Sequence, residues 1–78
     1  MKGKLLSDRQ KTGLAMLSCG LSEAHVGERL FISKDTVHKD RKQTYKLLGA
    51  STLAQALLYA LLQDELTLTA LRAIRASI

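Results

Sequence analysis

Three residues, Phe31-Ile32-Ser33, stand between two stretches of helical pattern, and that short join decides most of what this chain can fold into. Ser22 can cap the first stretch, Glu23 suits its first turn, and Val26 and Leu30 lie one turn apart on the buried side. This predicts a helix over about 23–30. Ser33 can accept from the backbone N–H of Asp35 or Thr36 and open a second helix, which continues to Leu48 and stops at Gly49. So few joining residues force a sharp crossing, the geometry of a helix-turn-helix unit. Gly27 fits that geometry, because a glycine inside a helix costs about 1 kcal/mol relative to alanine and is best understood where two backbones approach closely.

The rest of the chain also divides into helix-length pieces, with no proline to interrupt them. Ser7 begins a capping box, Ser-x-x-Gln10, that opens a helix running to about Cys19, with Gly20 placed to end it in the left-handed conformation. Ser51 caps a fourth helix over roughly 52–63, in which Leu53, Ala54, Ala56, Leu57, Leu58, Ala60, Leu61 and Leu62 leave almost no polar face. Such a helix must be covered on more than one side, by another subunit or by the C-terminal segment folding back. Beyond Gln63-Asp64-Glu65, the recurrence of Leu68, Leu71, Ile74 and Ile78 predicts a short fifth helix capped by Thr67 or Thr69. The expected fold is all-α: a basic arm over residues 1–5, a helix-turn-helix domain over 6–63 and a helical extension over 64–78 that serves packing or dimerisation. Met16 and Phe31 are core candidates, and Tyr45 and Tyr59 are candidates for core or interface.

The chain has 78 residues and a net charge of +5, and the charge is concentrated. Residues 1–13 carry Lys2, Lys4, Arg9 and Lys11 against Asp8, and residues 34–46 carry Lys34, Lys39, Arg41, Lys42 and Lys46 against Asp35 and Asp40, a balance of +3 in each. Two basic segments on so small a domain point to a polyanion partner; the alternative is a solvated face that only maintains solubility. No run of 18 apolar residues and no apolar stretch at the start suggests a membrane span or secretion, so a cytoplasmic protein is expected. Cys19, His25 and His38 fall short of a zinc ligand set, and no nucleophile motif or phosphate loop stands out. Neither an enzyme, nor a metal site, nor a cofactor is expected.

Several segments together resemble the helix-turn-helix domain of the LuxR/GerE type. They are Leu6-Ser7-Asp8-Arg9-Gln10, Gly20-Leu21-Ser22, Glu28-Arg29-Leu30-Phe31-Ile32-Ser33, Thr36-Val37 and Tyr45-x-x-Leu48-Gly49, and they span about residues 6–60. The resemblance implies a four-helix DNA-binding domain of bacterial transcription regulators, here with a short fifth helix. In that family the third helix enters the major groove and the fourth commonly pairs two domains on a two-fold site. Most relatives add an N-terminal receiver or sensing domain; with none visible here, a stand-alone GerE-like regulator is the expected architecture.

By position, His38, Lys39 and Lys42 match the family's base-reading sites. Lys39 and Lys42 are long enough to reach the O6 and N7 acceptors of guanine. Lys34, Thr36, Arg41 and Lys46 read as contacts to the DNA backbone. Leu53, Leu57, Ala60, Leu61, Leu68 and Leu71 are the candidate dimer or partner interface. The expected function is a sequence-specific regulator that binds double-stranded DNA as a homodimer. Departures from the family pattern are Gly13 and Thr44 in place of bulkier apolar residues, Asp40 in place of histidine, and Leu47 and Leu53 in place of cations. Asp40 near phosphates is repulsive unless it pairs with Arg41 or Lys39 or reads a cytosine amino group. Asp40, Leu47, Leu53 and the apolar tail support an alternative: an antiactivator that pairs with a larger LuxR-type regulator and blocks its DNA binding or dimerisation.

Overall fold

The computed structural model describes residues 5–78 and contains five helices: α1 (Asp8–Ser18), α2 (Glu23–Leu30), α3 (Lys34–Leu48), α4 (Leu53–Leu62) and α5 (Leu68–Ser77). The expected starts are present where a hydroxyl meets the third backbone N–H of its helix. Ser7 accepts from Gln10 while the Gln10 side chain accepts from the Ser7 N–H, and Ser22 and Ser33 accept from His25 and Thr36. Gly20 and Gly49 take the positive φ expected of helix ends.

At α4 the start is shifted by one residue. Thr52, not Ser51, accepts from Gln55 N–H, and the Gln55 side-chain oxygen instead accepts from Ser51 N–H at 2.8 Å. Thr67 rather than Thr69 caps α5.

The apolar residues form two clusters. Leu6, Leu14, Ala15, Leu48, Ala56, Ala60 and Leu66 make the larger, which joins α1, α3 and α4; Leu71 and Ile74 of α5 pack against it. Met16, Val26 and Val37 make the smaller, which lies beneath the α2–α3 unit and is joined by Ile32. Ile74 touches both clusters, and Arg29 of α2 donates to the Ser77 carbonyl at 3.2 Å, so α5 lies on its own chain. Glu65 fastens the opposite end of the chain: its two carboxylate oxygens accept from the backbone N–H groups of Leu5 (3.1 Å) and Leu6 (2.8 Å). A buried carboxylate is tolerated there because two donors replace its water.

The α2–α3 join shows why Phe31 is not a core residue. It caps α2 in the left-handed conformation, φ 59°, and its ring is 95 % exposed, while Ile32 turns inward. A three-residue reversal needs one left-handed residue, and a non-glycine residue pays about 1–2 kcal/mol to adopt that conformation. Phe31→Gly loses no packing and relieves the strain. Allowing for the greater freedom of glycine in the unfolded chain, it is expected to stabilise the fold by about 0.5–1 kcal/mol in urea unfolding. The close approach expected at Gly27 is present, since a Cβ there would stand 2.7 Å from the Ile32 carbonyl oxygen and 3.4 Å from the Lys34 nitrogen.

Candidate nucleic-acid interface

Val37, Thr44 and Leu48 are the buried residues of α3, and they fix its rotation. Lys39, Lys42 and Lys46, at spacings of three and four, consequently lie along the exposed side with Asp35 and Gln43, and Lys34 is exposed at the helix start. None of these four lysines has an ion-pair partner among the described residues. Gln43, which sequence reasoning passed over, shares this face; its spacing of four from Lys39 was the available signal. Thr36 is half-buried and its hydroxyl lies 2.9 Å from that of Ser33, so the helix opens with a pair of hydroxyls.

Arg41 lies toward α2 rather than on this stripe, and His38 stands at the edge of the stripe nearest α2. Arg41 Nε donates to Glu23 Oε2 at 2.8 Å, and the guanidinium lies over the Tyr45 ring, 5.4 Å from its centre. His38 Nδ1 is 3.1 Å from the same carboxylate oxygen. Arg41, expected as a DNA-backbone contact, thus has its charge matched by Glu23 and its guanidinium held over Tyr45. Its contacts with Tyr45 and Glu23 outweigh burial and hold its pKa above the ordinary value. At Glu23, burial alone would push the carboxyl up, but hydrogen bonds from His38 and Arg41, aided by the Arg41 charge, bring it below the ordinary value.

A group whose pKa is lowered by folding contributes stability above its unfolded value, and that contribution is lost as pH falls through the folded one. The stability difference between wild type and Glu23→Gln is therefore expected to hold down to the ordinary glutamate range, about pH 4.3, and to shrink below it. Thermal melts at a series of pH values measure this.

Asp40 pairs with neither Arg41 nor Lys39. Arg9 of α1 reaches it with two hydrogen bonds, Nε at 2.6 Å and Nη2 at 3.0 Å, which ties α1 to α3. Two acids close to the basic stripe, Asp40 and Glu23, are thus each neutralised by an arginine of the fold. Arg9 is in turn withdrawn from the N-terminal basic segment, and Lys11 also has an interaction partner. Lys2 and Lys4, the rest of that segment, lie outside the described residues.

The candidate interface residues separate in the same way. Ala60 is fully buried in the larger cluster, so its place in a dimer interface is corrected. Leu53, Leu57, Leu61 and Leu71 are half-buried against that cluster, as is Leu47. Leu68 is exposed, together with Leu58 and Leu62, which sequence reasoning had not selected and which stand one turn apart on α4.

Among the described residues, no single helix is long and apolar enough to cross a membrane, and no group of three acidic, histidine or cysteine side chains could hold a metal ion. Comparison with curated proteins and with solved structures returned no match. A family model, GerE, described as bacterial regulatory proteins of the luxR family, matches residues 4–60. That span runs from the start of the fold through α1, the α2–α3 unit and most of α4, well over half of the chain, and it carries the helix-turn-helix whose family binds DNA. The chain belongs to the luxR family of bacterial regulatory proteins.

Proposed function

We propose that this protein is a sequence-specific transcription regulator that binds double-stranded DNA as a homodimer, with α3 in the major groove of each half-site. The observation that carries this reading is the partner-free basic stripe of α3 beside acids already neutralised from within. Lys39 and Lys42 then face base edges together with His38 and Gln43. Lys34, Lys46 and the Thr36 hydroxyl fix the helix on phosphates. Residues 6–63 form the DNA-binding domain and 64–78 an extension that supports α1.

Two copies placed one helical turn apart on a two-fold site require a contact between them. The exposed leucines Leu58, Leu62 and Leu68 supply apolar surface for it. Leu58→Glu is expected to yield a stably folded monomer in analytical ultracentrifugation, with DNA affinity reduced at least about tenfold by loss of the second half-site.

The same three leucines also support the second reading, an antiactivator that pairs with a larger LuxR-type regulator. Asp40, Leu47 and Leu53, the other features in its favour, have roles within the fold. Fluorescence anisotropy with a duplex obtained by in vitro selection, and with a shuffled one, over a salt series separates the two readings. The regulator reading expects affinity that falls steeply with salt and a preference for the selected duplex at physiological salt. Equal binding to both duplexes, or none, contradicts it.

A further inference from the structure

Glu23, His38 and Arg41 form a network that the basic stripe does not require, and its hydrogen bonding restricts what His38 can offer. The Glu23 carboxylate accepts only, and it already receives Arg41 Nε at 2.8 Å. His38 Nδ1 lies 3.1 Å from one Glu23 oxygen and 3.4 Å from the other, so the contact is favourable only when Nδ1 carries a proton. Arg41 Nη2, 3.3 Å from Nδ1, is itself a donor and could bond Nδ1 only in the other tautomer, which would set a lone pair against both Glu23 oxygens at 3.1 and 3.4 Å. In the neutral imidazole the remaining nitrogen, Nε2, then bears a lone pair. It has no partner among the described residues, and the side chain is 42 % exposed beside Lys39 and Lys42.

From this geometry we infer that Glu23 fixes the tautomer of His38 so that the ring presents a hydrogen-bond acceptor, and that its base partner is an exocyclic amino group, adenine N6 or cytosine N4. The inference rests on the reading of α3 as the groove helix. In the major groove those amino groups are the only base donors, whereas guanine and thymine offer acceptors. A histidine held in this state complements the neighbouring Lys39 and Lys42, which can only donate and so meet the acceptors of guanine and thymine. Glu23 is a positioning residue: it touches no base, and its effect reaches the DNA through the His38 ring.

The tautomer is measured without DNA, by long-range 15N–1H correlation of the His38 ring in the whole protein at neutral pH. The proton is expected on Nδ1 in wild type and is expected to leave it in Glu23→Ala. Selected duplexes substituted with every base pair at every position supply the second measurement. One position in each half-site is expected to favour adenine or cytosine by about fivefold, the size of one hydrogen bond, and His38→Ala is expected to remove that preference alone. Because His38→Ala leaves the Glu23–Arg41 bond intact, it keeps the test open even if Glu23→Ala fails to fold. A proton on Nε2 in wild type overturns the inference. So does a His38-dependent preference for guanine, or an unchanged base preference in His38→Ala. A protein that prefers no sequence at all instead overturns the groove reading, a result the ring measurement distinguishes from failure of the tautomer.

Discussion

Replacing Lys39 and Lys42 together by alanine is expected to lower affinity for a selected duplex by at least about a hundredfold, since one good base contact discriminates by about 1–3 kcal/mol. Both side chains are exposed on α3, lack ion-pair partners among the described residues and lie away from the buried row Val37, Thr44 and Leu48, so the fold is expected to persist unchanged. Circular dichroism of the variant checks that point. The loss divides into two parts that salt separates. Any phosphate contact removed lowers the salt dependence of binding to all sequences, by about one in the logarithmic slope per charge, whereas a lost base contact lowers only the preference for the selected duplex. Retention of that preference by the double variant would move sequence reading to other residues.

The second large effect concerns the fold that carries α3. Gly27→Val is expected to cost about 3 kcal/mol or more, at the upper end for overpacking. Its Cβ alone would stand 2.7 Å from the Ile32 carbonyl oxygen, and that oxygen belongs to backbone that cannot rotate aside. Relief requires α2 and the start of α3 to move apart, which opens the cluster of Met16, Val26 and Val37 beneath them. Against a total stability of about 4–12 kcal/mol for a domain of this length, such a loss removes about a quarter of it or more.

Gly13 makes the internal comparison. It also lies inside a helix, but a Cβ there meets nothing within 4 Å, so Gly13→Ala is expected to stabilise the fold by about 1 kcal/mol through helix propensity. Urea unfolding of the two variants beside wild type gives opposite signs if close approach at Gly27 is the cause. A shared sign refutes that explanation.

What the sequence made legible is local. Ser7 with Gln10, Ser22, Ser33 and Gly49 mark helix ends through partners within four residues, and Gly27 marks the close crossing through its missing side chain. What remained hidden depends on distant pairing. Glu23 meets His38 and Arg41 across separations of 15 and 18 residues, Arg9 meets Asp40 across 31, and Glu65 meets Leu5 and Leu6 across 60 and 59. Nothing in a neighbouring residue announces such partners, so Arg41 read as a contact to the DNA backbone, and the pairings open to Asp40 were Arg41 and Lys39, not Arg9. Phe31 was misread for another reason: apolar character favours the core, while a left-handed cap turns its side chain to solvent. In α4 the pattern had no phase to read, since residues on every side are apolar. Only the packing shows Ala56 and Ala60 facing inward and Leu58 and Leu62 facing out.

Two neutralised acids and one partner-free lysine stripe make α3 a surface suited to a nucleic acid, and its direct contact with the duplex is the central claim. Backbone amide chemical shifts followed while a selected duplex is titrated into the 15N-labelled protein test it most directly. The account predicts that the largest changes fall on Lys34, Thr36, His38, Lys39, Lys42, Gln43 and Lys46, and that they are absent with the shuffled duplex at physiological salt. Changes confined to Leu58, Leu62 and Leu68, or none on α3 at duplex saturation, would contradict it.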